Sequence, residues 1–220
     1  MVGVAVAAWL VVTAGPTARA QGSGLRELPL PVDQWRVIQR DSGPVDYYTV
    51  MRDGAGPFIR GRYEPPNATT VLGFKVPEAA RKNARALRWT WRALTLPRDG
   101  NECQSGKQDS AAVVYLTWKR GLRWYTLKYV WSAVGPKGTT CDGKRNLFVA
   151  QDTVVLESGG PLGEWRSEDI DLKSDFRNHF EGGKAGADVP DFVGVGLMTD
   201  GDQTKSESAA DYARFLLSVE

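Results

Sequence analysis

The chain runs to 220 residues, 42% of them hydrophobic, with 28 Lys and Arg against 26 Asp and Glu for a formal charge of +2. That length and apolar content suit one large domain able to bury a substantial core. The near balance of charge leaves no excess pointing to nucleic acid or a membrane surface, and short basic clusters such as Arg81, Lys82 and Arg85 read as a solvated face.

Residues 1–14 carry no charge and are dominated by Val, Ala, Trp and Leu; Gly15 and Pro16 then break the run ahead of Ala18-Arg19-Ala20. An apolar stretch followed by an A-x-A site predicts a signal peptide over residues 1–20, although no positive segment precedes it. The run is too short and interrupted for a spanning helix, and no Cys follows it to carry a lipid. Cleavage removes one charge, Arg19, and leaves 2 − 1 = +1. A periplasmic or secreted protein with no membrane span after signal removal is expected.

Residues 21–33, with Gly22, Gly24, Pro29 and Pro31, read as an extended lead-in, and residues 34–220 as the domain. Short β-prone runs follow at residues 35–38, 47–50, 58–63 and 70–76, each bounded by Gly, Pro, Asp or Asn. Repeats of that spacing predict a β-sandwich or barrel. Residues 77–86, opening Pro-Glu and rich in Ala, Arg and Lys, predict a short surface helix or turn.

Leu87, Trp89 and Trp91 then alternate with polar side chains, the period of a half-buried strand. Residues 111–119 and 125–132, joined by a short link through Gly121, read as a β-hairpin that places Leu127, Tyr129 and Trp131 on one face. Residues 147–156 and 165–172 add two more runs. Residues 173–180 predict a helix with Phe176 and Phe180 on one side. Residues 192–198 form a strand with Gly194 and Gly196 on one face, leaving room for a neighbouring aromatic ring or for a ligand close to the backbone. Residues 209–219 read as a closing strand, with Tyr212, Arg214 and Leu216 alternating against Ala213, Phe215 and Leu217.

The cysteines, Cys103 and Cys141, flank the hairpin. In an antiparallel pair the start of one strand and the end of the next emerge together, so a disulfide between them is expected in an exported chain. Two free thiols, or half of a metal site with no His or Cys nearby in sequence to complete it, are the rival readings.

Candidate chemistry is sparse. The single His, His179, sits in the predicted helix beside Phe180, and no Gly-x-Ser-x-Gly elbow exists, so His-dependent nucleophilic catalysis is disfavoured. Glycoside hydrolysis needs only two carboxylates. Asp99, Glu102 and Asp109 share one polar loop and are the catalytic candidates, able to converge with Asp200 and Asp202. Asp200, Asp202 and Thr204 space their oxygens at i, i+2 and i+4, a weak candidate Ca²⁺ site, and no other cofactor is expected. Trp124, at the hairpin turn, and Trp165, after the turn at Gly159-Gly160-Pro161, are candidate sugar-stacking rings. They become neighbours if the strand after Asn146 pairs beside the hairpin and returns toward Trp124.

Several stretches resemble the bacterial domain-of-unknown-function 3047 family: Leu87-Arg88-Trp89-Thr90-Trp91, Asp109 before the strand at Ala111, Leu127-Lys128-Tyr129-Val130-Trp131, Trp165-Arg166-Ser167-Glu168 and Gly196-Leu197-Met198-Thr199-Asp200-Gly201-Asp202. The chain departs from the pattern at Gln108, where a paired Asp is expected, and at Glu181, where a Gly is expected. The resemblance implies an exported, single-domain β-sandwich of jelly-roll or galactose-binding-like type, without an established activity. The combined expectation is an all-β, minor α, antiparallel sandwich that binds a ligand without catalysis. A glycan is the favoured ligand, held by Trp124, Trp165, Asp109 and Asp200. A carboxylate-based glycoside hydrolase and an envelope scaffold contacting other proteins are the alternatives.

Overall fold

Alternation in β6 (Ala84–Thr95) turns Leu87, Trp89, Trp91 and Ala93 to one side, where all four are buried, while Arg88, Thr90 and Arg92 face the other way. The computed structural model describes residues 24–40 and 46–220; the expected signal peptide over residues 1–20 lies outside the described residues. In β8 (Arg123–Ser132) the same alternation aims Leu127, Tyr129 and Trp131 back at β6. Trp91 and Trp131 meet at 6.0 Å between ring centroids and Trp89 and Tyr129 at 6.0 Å, in tilted, near edge-to-face geometry. Such pairs add roughly 0.5–1.5 kcal/mol each beyond the area they bury.

These contacts join two sheets of a jelly-roll-type sandwich. One holds six strands: β11 (Arg166–Asp171), β6, β13 (Ser208–Val219), β4 (Gly56–Tyr63) and β3 (Tyr48–Asp53) in that order, with β1 (Arg26–Pro29) also paired to β13. The other holds seven: β2 (Arg36–Arg40), β5 (Thr70–Lys75), β12 (Asp191–Met198), β7 (Ala112–Arg120), β8, β10 (Val149–Ser158) and β9 (Thr140–Arg145). The helices are α1 (Glu78–Arg81) and α2 (Leu172–Phe180). Asp171 caps α2, its carboxylate accepting from the backbone N–H groups of Lys173 and Ser174. Phe176 of α2 plugs one end of the core against Trp118 and Tyr125, at 5.5 and 5.1 Å.

Four expectations need correction. The lead-in belongs partly to the core: β1 hydrogen-bonds to β13, and Leu30 and Val32 are buried. The helical interruption shrinks to the four residues of α1, because β6 already starts at Ala84. In β13 the alternation breaks at Arg214, whose φ of 54° marks a bulge, so Tyr212 and Phe215 point inward together. Finally, β9 was hidden by its polar sequence, which suits an edge strand, and it changes the direction of the next strand. Because β9 forms the hairpin with β10, β10 runs parallel to β8, pairing Val149 with Trp124 and Ser158 with Ser132.

Cys103 and Cys141 form a disulfide, with Cα atoms 5.7 Å apart. It ties the loop of residues 96–111 to edge strand β9. Among the described residues no helix is long and apolar enough to cross a membrane. The bond closes a sequence separation of 38 residues, which corresponds to about 4 kcal/mol in the chain-entropy model. The double variant Cys103→Ala/Cys141→Ala is therefore expected to lose roughly 3–4 kcal/mol in urea unfolding. Thiol titration of the denatured, unreduced wild type should detect no free sulfhydryl.

Candidate functional site

The outward face of the seven-stranded sheet changes character row by row along its strands. Strand register aligns Lys75, Gly194, Thr117, Thr126 and Gln151 in one row and Gly73, Gly196, Tyr115, Lys128 and Thr153 in the next. A third row, Val71, Met198, Val113, Val130 and Val155, is apolar and buried. An outward row of this kind needs a lid, and residues 96–111 supply it. Gly100 anchors the lid by accepting hydrogen bonds from Ser132 Oγ and from the backbone N–H groups of Ala133 and Val134.

The other two rows form a trough. Its larger section, about 710 Å³, is lined by Trp124, Thr117, Thr126, Lys75, Lys119 and the glycines of β5 and β12. A second section of about 510 Å³ reaches the lid, where Glu102, Lys128, Asp200 and Asp202 line it. The two sections share Tyr115 and Gln151. Gly196 lies beneath the Tyr115 ring, 3.2 Å from where its Cβ would stand, while Gly194 leaves the floor bare toward the trough. The aromatic-ring reading of the glycine pair thus holds at Gly196, and Gly194 carries no ring.

At the lid end the electrostatics are concentrated. Lys128 Nζ donates to Glu102 Oε2 at 2.6 Å, both groups buried. Burial alone would lower the Lys128 ammonium, but the Glu102 carboxylate, with Tyr115 and Asp200 nearby, holds the pKa above the ordinary value. Asp109, Asp200 and Asp202 each bring a carboxylate oxygen within 4.8 Å of the others. Asp109 accepts from the backbone N–H of Thr204 at 2.6 Å, and Asp200 from Thr69 Oγ1 at 2.9 Å and Gly201 N–H at 2.8 Å. The turn carrying Asp200 and Asp202 admits only glycine at position 201, since a Cβ there would fall 2.1 Å from the Ser206 carbonyl oxygen. Burial, then Asp202 and Asp109, push the Asp200 carboxyl up to about 7.

The structure brings together some of the expected residues. Glu102, Asp200 and Asp202 line the trough, with Asp109 buried behind them. Asp99 stands apart, exposed and 4.0 Å from Lys107 Nζ. The Thr204 hydroxyl bonds to Ser206 Oγ at 2.7 Å, so the oxygens that converge with those of Asp200 and Asp202 come from Asp109. That set could hold a hard cation such as Ca²⁺. Trp124 is 42% exposed at the far end of the trough, with Lys119 Nζ 4.6 Å from its ring centroid.

Trp124 and Trp165 are not neighbours. The parallel course of β10 carries the chain away from Trp124, and Trp165 settles on the six-stranded sheet, against Phe58 at 5.9 Å and under Arg92 at 4.5 Å. There Arg92 and Arg60 pair with buried Asp211 at 2.7 Å each. His179 is tied through Nδ1 to Asp152 at 3.0 Å. The trough residues that sequence reasoning missed are Tyr115, Thr117, Thr126, Gln151 and Lys128. Their only signal was to be the polar alternates of core strands.

The model of the family described as a protein of unknown function (DUF3047) matches residues 33–216. The chain belongs to the DUF3047 family. Among curated proteins none matches this DUF3047 chain. Among solved structures it is similar to the family 11 carbohydrate-binding module of a Clostridium thermocellum cellulosomal cellulase, at 9% identity over 90% of this chain and 97% of that one, TM-score 0.48. It is also similar to the xyloglucanase domain of a Sinorhizobium fredii type three effector in complex with cellobiose, at 12% identity over 91% and 100% of the two chains, TM-score 0.45. The catalytic domain of Humicola grisea Cel12A gives 15% identity over 88% and 98%, TM-score 0.43. Superposition at this level transfers neither ligand nor activity to the DUF3047 chain.

The raised Asp200 pKa couples folding to pH. The carboxyl takes up its proton at about 7 in the folded chain against an ordinary 3.8. The contribution of this carboxyl to stability is therefore fullest below pH 4 and is lost as the pH rises through 7, by on the order of 4 kcal/mol. With a chelator present to keep cations out, thermal melts of the wild type should weaken from pH 4.5 to pH 8. Asp200→Asn, which keeps an accepting oxygen, should flatten that dependence and melt higher than the wild type at pH 8. In millimolar Ca²⁺ at pH 8, a bound ion raises the wild-type midpoint and a shared proton leaves it unchanged.

Proposed function

We propose that this DUF3047 protein is an exported, non-catalytic carbohydrate-binding protein, working in the periplasm or outside the cell, and that the trough on its seven-stranded sheet holds the glycan. One observation carries the reading: an open aromatic ring, Trp124, stands at the end of a trough whose floor is bare at Gly194 and whose lining mixes apolar side chains such as Ile38 and Val193 with hydroxyl, amide and ammonium groups. A sugar presents an apolar C–H face and a rim of hydroxyls. Trp124 suits the face; Thr117, Thr126, Gln151, Lys75 and Lys119 suit the rim. Gly194 lets a ring approach the backbone, which a side chain there would prevent.

The disulfide supports the compartment, since such bonds persist in oxidising surroundings. A hydrolase is the second reading, and the Asp200 carboxyl favours it, because a group titrating at about 7 can keep a proton to give to a leaving oxygen. Against it, Glu102 is buried in an ion pair with Lys128, and Asp109 is fully buried with both oxygens accepting from the amides of Gln203 and Thr204.

On a glycan array the wild type should bind at least one oligosaccharide, and Trp124→Ala should weaken that binding tenfold or more with an unchanged melting temperature, since the ring lies outside the core. Incubation with the bound glycan should release no new reducing ends. No glycan bound above background would overturn the reading.

A further inference from the structure

Two hairpin tips meet at the end of the sandwich where Trp124 lies. The β7–β8 turn presents Leu122, 78% exposed, and the β9–β10 turn presents Leu147 and Phe148, 77% and 53% exposed. A hydrogen bond from Trp124 N–H to the Phe148 carbonyl, 2.8 Å, clamps the turns together. The second turn is braced from within, because Asn146 Oδ1 accepts from the N–H groups of Phe148 and Val149 at 2.8 and 2.9 Å. These apolar side chains are therefore displayed by rigid turns. Each is hydrated at a cost that folding leaves standing.

Cations surround them. Residues 119–124 and 143–149 hold Lys119, Arg120, Arg123, Lys144 and Arg145, and no Asp or Glu. Arg120 is paired with Glu181, and Arg145 with Asp152 and Asp142. Among the described residues Lys119, Arg123 and Lys144 form no ion pair. A near-zero net charge over the whole chain conceals this local excess.

We infer that the paired tips dock on an anionic lipid surface, with Leu122, Leu147 and Phe148 entering the headgroup boundary and the exposed Lys119 and Lys144 meeting the lipid charges, while Arg123 lies over the Tyr125 ring. The shape selects this occupant. The tips are convex, and no neighbouring wall encloses the three side chains, whereas a protein partner needs a complementary face on the order of 800 Å². Acyl chains mould around protruding Leu and Phe, and a ring of Lys and Arg complements anionic headgroups. Trp124, just behind the tips, falls at the depth where such rings are commonly found. The inference does not rest on the trough binding a glycan.

The test is co-sedimentation with sucrose-loaded vesicles, either phosphatidylglycerol and phosphatidylcholine in equal parts or phosphatidylcholine alone. The wild type should partition at least tenfold more strongly onto the mixed vesicles, and 0.5 M NaCl should weaken that binding. Leu122→Ser/Phe148→Ser should reduce it tenfold or more, and Lys119→Glu/Lys144→Glu should reduce it too. All four changes are on exposed side chains, so melting temperatures should match the wild type. Absence of wild-type binding to the mixed vesicles would overturn the proposal, as would undiminished binding of the Leu122→Ser/Phe148→Ser variant. A dimer in sedimentation equilibrium that this variant abolishes would also overturn it, by showing that a second copy covers the tips.

Discussion

The edge-to-face contact between Trp91 and Trp131 is the constraint on which the remaining architecture depends. It joins a central strand of one sheet to a central strand of the other, and with Trp89 against Tyr129 it sets the depth of the layer between them. Once those rings face each other, every alternate residue of β6, β7 and β8 is committed to the interior. The residues between them are committed to the outer faces. The trough is a by-product of that commitment: Tyr115, Thr117, Thr126 and Lys128 face outward because Leu116, Trp118, Leu127 and Tyr129 must face inward.

The two outer faces are used differently. On the six-stranded sheet, Asp211 is enclosed by Arg60 and Arg92, with Phe58 and Trp165 over the guanidinium groups, which saturates that face with its own interactions. On the seven-stranded sheet, the row through Gly194, Thr117 and Thr126 stays open, the next is partly covered where Glu102 meets Lys128, and the apolar third row is buried. The covering loop is long, polar and carries two carboxylates inward, Glu102 and Asp109. It stays in place because the Gly100 carbonyl accepts from Ser132, Ala133 and Val134 and because a disulfide fastens it to β9. Burying those carboxylates near Asp200 is costly in a low-dielectric setting. Lys128, the backbone amides of the turn at Gly201 and a proton retained on Asp200 together offset that cost.

The trough and the hairpin tips divide the molecule's exposed chemistry along one axis. Carboxylates gather under the lid, hydroxyl and amide groups occupy the middle, and aromatic, aliphatic and basic side chains gather at the tips. Trp124 belongs to both of the last two regions, which is a consequence of its place at the first turn of β8 with its amide bonded across to Phe148.

Sequence by itself determined the class of fold, most strand positions, the inward faces of β6 and β8 and the pairing of Cys103 with Cys141. These are properties of local periodicity and of one hairpin, and both are written in neighbouring residues. Tertiary structure alone decided the rest. The polar strand β9 has no alternation to betray it, and by inserting itself at the sheet edge it reversed β10 and sent Trp165 to the opposite layer from Trp124. Likewise, Asp109 meets Asp200 and Asp202 across more than ninety residues of chain, and the bare floor at Gly194, flanked by Gly196 under Tyr115 and Gly73 under Ile38, exists only when β5 and β12 lie in register. Period-two patterning states which side chains share a face, but not which strand lies beside which. A binding surface is assembled from the second kind of information.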